Sequence, residues 1–173
     1  VDKMVSALAA AAEAEPENPI GQAELGRALA LQGDLDAALK YLHESASMMQ
    51  HFSEVGLPLA YLGIARIHIH RRDWESAQSY LDQARRAAQE SRYTQMDDRI
   101  VDLVQVRYWI ARGELSPALQ WAHGQGYPDK TPAEMTTGAG QKRQLDELVL
   151  LDYLTLMRLA LAQGKPGWAL EMS

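Results

Sequence analysis

Arginine recurs at matching places in this sequence, at Arg27, Arg66, Arg107 and Arg158. Each lies six residues before a turn, and an alanine follows each turn by five residues. The turn residues with their alanines are Gly33 with Ala38, Arg72 with Ala77, Gly113 with Ala118, and Gly164 with Ala169. A guanidinium group offers a planar fork of donors that matches a carboxylate or a phosphate. The fixed spacing also indicates a repeat protein, and hence a binding scaffold rather than an enzyme.

Two interpretations of the arginine series remain open. In the first, the guanidinium groups line the concave groove of a repeat array and bind carboxylates, phosphates or a peptide backbone. In the second, each arginine pairs with an acidic residue on the next helix and spaces the repeats. The acidic residues that could serve are Glu24, Asp102, Asp146 and Glu147. The regular recurrence favours the second interpretation, because the scaffold itself needs the same residue in every repeat.

Apolar residues accompany the arginines at helical spacing and would form the floor of the groove. The candidate ligand or partner groove consists of Arg27, Arg66, Arg107, Arg158, Leu62, Leu103, Leu154 and His70. No catalytic residue and no metal ligand is assigned.

The elements that must position these residues are antiparallel helical hairpins, because short turns separate stretches of helical periodicity. We predict a first helix over 3–14, then helix pairs over 20–31 and 35–50, 59–71 and 74–90, and 93–111 and 115–122, and a helix over 144–162 whose partner starts after Gly164. Segment 123–143, with its Gly and Pro residues, predicts a long loop. The fold expected is a single all-α domain over 1–173, a right-handed superhelix of about 3.5–4 repeats. The repeats would span about 20–52, 57–90, 93–122 and 144–173.

The turns and the small residues predict how each hairpin closes. Asp34 and Asp73 follow the first two turns and are suited to cap the second helices. The alanines that follow the turns let each second helix cross close to the first, and Gly26 marks the same close approach from the other side. Leu25 and Ile64 are expected to be buried on the facing side.

Composition argues against several kinds of partner. Lys and Arg number 17 against 23 Asp and Glu, a net charge of −6, which argues against gripping a nucleic-acid backbone. The absence of cysteine excludes a disulfide, a thiolate metal site and a cysteine nucleophile. No apolar run approaches the roughly 18 residues that span a bilayer, and the first residues do not form a signal peptide. We therefore expect neither a nucleic-acid nor a membrane partner.

Catalysis and metal binding are not expected either. His68 and His70 lie two apart on a helix and point in different directions, so they cannot chelate one ion together. No serine lies on a nucleophile-elbow sequence. The aromatic residues Tyr61, Tyr108, Trp109 and Tyr153 are at helical spacing and are expected in the core rather than stacked on a ligand. No cofactor is implied.

These features resemble the tetratricopeptide repeat (TPR). The pattern runs Leu25-Gly26, Gly33-Asp34, Ala38 and Tyr41-Leu42 in the first repeat. The first repeat matches best, whereas the later ones are longer than the usual period of about 34 residues and lack the proline that closes the second helix. Gly63-Ile64-Ala65-Arg66, Arg72 to Ala77, and the run from Asp152 to Pro166 after a Gly- and Pro-containing loop are similar to the repeat domain of the MalT-like, LuxR-type transcriptional regulators.

That resemblance implies a piece of a larger cytoplasmic protein, with an ATP-binding module before the repeats and a helix-turn-helix domain after them. The repeats would sense a small-molecule inducer or a regulatory protein or peptide, and would control self-association as a homo-oligomer. No GxxxxGK[ST] phosphate loop occurs here, so ATP binding is not assigned to this chain. The alternative is a generic TPR scaffold that binds a peptide or protein partner.

Overall fold

The computed structural model describes residues 2–52, 56–90, 95–125 and 147–164, and these residues form eight α-helices and no strand. The helices are α1 (Asp2–Ala14), α2 (Pro19–Gln32), α3 (Leu35–Phe52), α4 (Leu57–Arg71), α5 (Trp74–Glu90), α6 (Gln95–Arg112), α7 (Leu115–Gly124) and α8 (Glu147–Ala162). The predicted all-α, TPR-like class is confirmed. The handedness of the superhelix stays a prediction.

The chain divides into two compact units, Val1–Val101 and Asp102–Ser173. In the first unit each helix packs on the next along the chain, from α1 to α5, and α2 also contacts α4. In the second unit α7 packs on α8. The expectation of a single domain over 1–173 stays a prediction.

The helix bounds differ from the predicted ones mainly where proline was read as a helix breaker. α2 begins at Pro19, because the side chain of Asn18 caps it and proline is suited to the first helical position. The Asn18 Oδ1 accepts hydrogen bonds from the backbone N–H groups of Ile20 and Gly21, both at 3.1 Å. α7 extends to Gly124, two residues into the predicted loop. The rest of that loop, from 126, and the partner helix after 164 lie outside the described residues.

The four turns found in the sequence share one backbone conformation. Gly33, Arg72, Gly113 and Gly164 have φ values of 91°, 59°, 79° and 71°, in the left-handed region. At the first turn the N–H of Gly33 donates to the carbonyl of Ala30, and the N–H of Asp34 donates to that of Leu29. These two bonds satisfy carbonyl groups that the end of a helix leaves unpaired. Glycine adopts this conformation without strain, so Arg72 is the one strained member of the set.

The aspartates after the first two turns cap the following helices, as predicted. The Asp34 Oδ1 accepts from the N–H of Ala37 at 3.1 Å, and the Asp73 Oδ1 accepts from the N–H of Ser76 at 3.2 Å. The third hairpin differs, because the side chain of Glu114 makes no capping bond. That carboxylate pairs with Arg112 across the turn instead, at 2.9 Å.

The core of the first unit is organised around Leu42 of α3. Its side chain is fully buried and lies between Gly26 of α2 and Gly63 of α4. A Cβ atom at Gly26 would lie 2.8 Å from the Leu42 Cγ, closer than real Cβ atoms approach, and 3.1 Å from the Ala38 carbonyl oxygen, which is an unusually tight contact. The predicted burial of Leu25, Ile64, Ala38 and Ala77 is confirmed. Helix spacing in this unit is therefore set by small residues opposite one leucine.

The core of the second unit joins three helices. Its buried residues are Val106 of α6, Ala118 and Ala122 of α7, and Leu156 and Leu159 of α8. The alanine predicted at the crossing of the third hairpin, Ala118, is fully buried. Its counterpart Ala169 lies outside the described residues. Tyr108 and, in the first unit, Tyr61 are buried as predicted, whereas Trp109 is only partly buried.

Replacing Arg72 with glycine is expected to stabilise the chain. A side chain in the left-handed region costs about 1 kcal/mol or more, and Arg72→Gly removes that strain. We expect the midpoint of thermal unfolding to rise by about 2–4 °C for about 1 kcal/mol in a chain of this length. Gly33→Ala is the matched control, because a Cβ there meets nothing within 4 Å and only the backbone strain changes. It should lower the midpoint, and an unchanged midpoint in both variants would contradict the argument.

Gly26→Ala is expected to destabilise the chain despite the higher helix propensity of alanine. The added Cβ collides with Leu42 and with the backbone of α3, and overpacking of this kind costs about 1–3 kcal/mol. Urea unfolding of Gly26→Ala and of a second variant, Gly21→Ala, separates the cost of overpacking from the gain in helix propensity. Gly21→Ala, in the same helix, should be neutral or stabilising, because its nearest contact would be an ordinary 3.6 Å. Equal effects of the two substitutions would show that the close approach does not exist.

Candidate functional site

One surface of the first unit combines arginine with exposed apolar side chains. On α2, Ile20, Arg27 and Leu31 are exposed, at 60% and 70% for the isoleucine and the leucine. Their spacing of seven and four residues places them on one side of the helix. The Arg27 Nη1 lies 2.9 Å from the Glu24 Oε1 one turn away, so this arginine pairs within its own helix. Whether the arginine series spaces the repeats stays a prediction.

The equivalent positions of α4 carry the same kind of side chains. Leu59, Arg66 and His70 are exposed and correspond to Ile20, Arg27 and Leu31 in the repeat. α2 and α4 contact each other and carry these six exposed residues at equivalent positions, and we call the six residues the α2/α4 face. Arg66 makes an interaction of its own and is not an unpaired charge. The face therefore holds two guanidinium groups and a histidine among three apolar side chains.

Two of the predicted groove residues are buried. Leu62 is 3% exposed and Leu103 is 5% exposed, so neither side chain is available to a ligand in this conformation. The hydrophobic residues next to the arginines that do reach solvent in the first unit are Ile20, Leu31 and Leu59. The periodicity of the sequence does not distinguish these buried leucines from the exposed ones, since both recur at similar intervals.

The remaining predicted residues belong to the second unit. Arg107 of α6 is half-buried and has a partner. On α8, Leu154, Arg158 and Leu161 are exposed and follow one another at helical spacing, so they lie on one side of that helix. The second unit thus repeats the combination of arginine and exposed leucine. Whether these residues bind a ligand stays a prediction.

A cluster of aromatic and titratable side chains lies where α3, α4 and α5 meet. The His68 ring of α4 stacks on the Tyr80 ring of α5, with centroids 5.6 Å apart and planes 10° apart. The His43 ring of α3 meets the same tyrosine edge-on, also at 5.6 Å. The His68 Nδ1 lies 3.0 Å from the Asp73 Oδ2. We call His43, His68, Asp73 and Tyr80 the histidine–tyrosine cluster.

The surroundings of the cluster shift its protonation equilibria. Burial of part of the His43 side chain lowers its pKa, although the residue as a whole is exposed, and the charge of His68 lowers it further. Hydrogen bonds from Ser76, more than the contact with His68, hold the pKa of Asp73 below its usual value. Burial raises the pKa of the Tyr80 phenol, and the nearby Tyr61 adds to that rise. The cluster is therefore an electrostatically coupled group rather than a set of isolated surface residues.

Sequence reasoning missed this cluster. His43, His68 and Tyr80 come from three helices, and nothing in their spacing places them together. The repeat offers no signal, because the positions equivalent to His43 and His68 are Asp82 and Leu29. The antiparallel register of α3 and α4 brings them together. That register is also shown by the Asp36–Arg71 pair at 2.6 Å and by the hydrogen bond from the Gln50 amide to the Tyr61 hydroxyl.

A metal-binding group and a membrane-spanning helix are both absent from the part of the chain that the structure describes. No group of three or more His, Cys, Asp or Glu side chains in these ranges could hold a metal ion. None of the helices described is long and apolar enough to cross a membrane.

A comparison of the chain with known families identifies one of them. The profile described as the MalT-like TPR region matches residues 6–173, nearly the whole chain. The chain therefore belongs to the MalT-like TPR family, as its turns and capped hairpins indicated. Helical-repeat families of this kind are typically non-catalytic. No curated protein and no solved structure matches the chain.

Removing the Arg27 side chain is expected to leave the fold almost unchanged. The Arg27–Glu24 pair is exposed on both sides and lies within one helix, and such pairs contribute at most about 0.5 kcal/mol. Arg27→Ala should therefore shift the free energy of unfolding in urea by less than about 0.5 kcal/mol. Asp34→Ala serves as the reference, because the loss of its capping bond should cost about 1 kcal/mol. A loss for Arg27→Ala as large as that reference would assign the arginine a structural role.

Proposed function

We propose that this chain is the effector- or partner-sensing segment of a MalT-like, LuxR-family transcriptional regulator that acts in the cytoplasm. It would act by non-covalent binding and by control of self-association, without chemistry of its own. The observation that supports this proposal is the α2/α4 face, in a chain that belongs to the MalT-like TPR family.

The chemistry of the face favours a ligand that is both acidic and partly apolar. Arg27 and Arg66 present guanidinium donors suited to carboxylate or phosphate oxygens, while Ile20, Leu31 and Leu59 provide apolar contact. Arg27 can exchange its exposed partner Glu24 for a ligand oxygen at little cost, because an exposed pair within a helix is weak. A small-molecule inducer and a segment of a regulatory protein both meet this description.

Binding would act on the regulator by shifting a conformational equilibrium. The face is built from the first helices of two successive hairpins, so a ligand that contacts both favours one packing of α2 against α4. Repeat arrays transmit such a preference through neighbouring contacts, and the regulator's self-association would change with it. A ligand that contacts only one helix would shift nothing.

The alternative is a generic TPR scaffold that binds a peptide or protein partner outside transcription. The same face supports it, since arginine beside exposed leucine is common in protein interfaces. The gene sequence on both sides of this segment discriminates the two. A phosphate-loop module before the segment and a helix-turn-helix domain after it favour the regulator, and other neighbours favour the scaffold.

The double variant Arg27→Gln/Arg66→Gln tests the binding role in the full-length protein. It keeps side-chain length and polarity but removes the guanidinium groups, so induced transcription from the regulator's target promoter should fall about tenfold or more, as expected when charge-assisted bonds of about 1.5–3 kcal/mol are lost. Far-ultraviolet circular dichroism and the midpoint of unfolding should stay as in the wild type.

The control is Arg86→Gln, at an exposed arginine of α5 that is not part of the α2/α4 face. It removes one positive charge, against two in the double variant, and should leave induction intact. If Arg86→Gln lowers induction as much as the double variant, net charge rather than the face is responsible. If neither variant changes induction, the face is not the sensing site.

A further inference from the structure

We propose that the histidine–tyrosine cluster makes the junction between the first two hairpins sensitive to pH, so that acidification loosens α3 from the α4–α5 hairpin. The proposal concerns this junction alone and holds whether or not the chain senses an effector.

The position of the cluster gives it control over this junction. His43 belongs to the first hairpin, whereas His68 and Tyr80 belong to the two helices of the second. Tyr80 contacts both imidazole rings, so one aromatic side chain joins three helices. Other contacts across α3 and α4 are the apolar packing of Leu42 on Gly63 and the polar pairs at Asp36–Arg71 and Gln50–Tyr61. Among these contacts, the cluster is the part that titrates near neutral pH.

The two histidines respond differently to a proton. Protonated His68 keeps a favourable partner, because the Asp73 carboxylate lies 3.0 Å from its Nδ1 and the Tyr80 ring stacks beneath it. His43 has no such compensation within the cluster, since the ionisable groups that face it are His68 from α4 and the neutral Tyr80 phenol from α5. Nearby charges point elsewhere: Lys40 lies over the Tyr41 ring, and Arg71 is paired with Asp36. A proton on His43 therefore meets a positive charge across the junction.

The direction of the pKa shift of His43 determines whether acidification stabilises or destabilises the folded chain. The pKa of His43 is lowered by burial first and by the charge of His68 second. A base with a lowered pKa binds fewer protons in the folded state than in the unfolded state. The stability that His43 provides when neutral is thus fully present above its ordinary pKa of 6.5 and is lost as the pH falls through the lowered value. Asp73 does not oppose this change, because its own pKa is lowered and it stays charged throughout that window.

The first measurement follows the histidine rings of the chain by NMR as the pH is varied. The midpoint of the His43 titration should lie below 6.5, the ordinary value for histidine. In His68→Gln the midpoint of the His43 titration should move up, because the neighbouring charge is gone. A midpoint for His43 at or above 6.5, or one that does not move in His68→Gln, overturns the proposal.

The second measurement is urea unfolding of the chain between about pH 5 and about pH 8, the range in which histidine titrates. The unfolding equilibrium constant of the wild type should rise several-fold on acidification, and His43→Gln should remove most of that rise. His123→Gln is the matched control and should keep it. If His43→Gln and His123→Gln retain the same pH dependence, the junction is not a pH-sensitive element. Hydrogen exchange then locates the change: amides of α3 and α4 should lose protection at acid pH before those of α7.

Discussion

The first unit depends on one steric constraint, the enclosure of Leu42 between two glycines. Gly26 of α2 and Gly63 of α4 both lie against this leucine, and Gly26 leaves no room for a Cβ. Two helices can therefore approach α3 more closely than ordinary side chains would allow. In the antiparallel register of α3 and α4, Leu42 lies against Gly63. Both the α2/α4 face and the histidine–tyrosine cluster include residues of the helices that meet at this leucine.

The turns supply the second constraint, and they are not equivalent. In the first two hairpins one aspartate ends a helix with its backbone N–H and caps the next helix with its side chain. This double use allows a very short connection, because no further residue is needed to satisfy the helix ends. Arg72 carries backbone strain that Gly33 does not, and Glu114 lacks the capping bond. The repeat is thus regular in geometry while its stability varies from turn to turn.

α4 connects the α2/α4 face with the histidine–tyrosine cluster. Its exposed residues Arg66 and His70 belong to the α2/α4 face, and His68, between them in sequence, points to the cluster instead. A change in how α3 packs on α4 therefore bears on both features at once. Membership of the MalT-like TPR family makes such coupling physically reasonable, because each repeat is held by its neighbours rather than by a separate core.

The sequence by itself determined the helical hairpins, their turns, the aspartate caps and the buried alanines, because each depends on local backbone geometry and on a period that neighbouring residues share. The sequence did not determine which apolar side chains reach solvent: Leu62 and Leu103 are buried, while Ile20 and Leu31 are exposed. Exposure depends on the angle at which each helix packs, which residue spacing leaves open. The meeting of His43, His68 and Tyr80 was decided by the tertiary structure alone, because it depends on the register between α3 and α4, which no spacing within one helix contains.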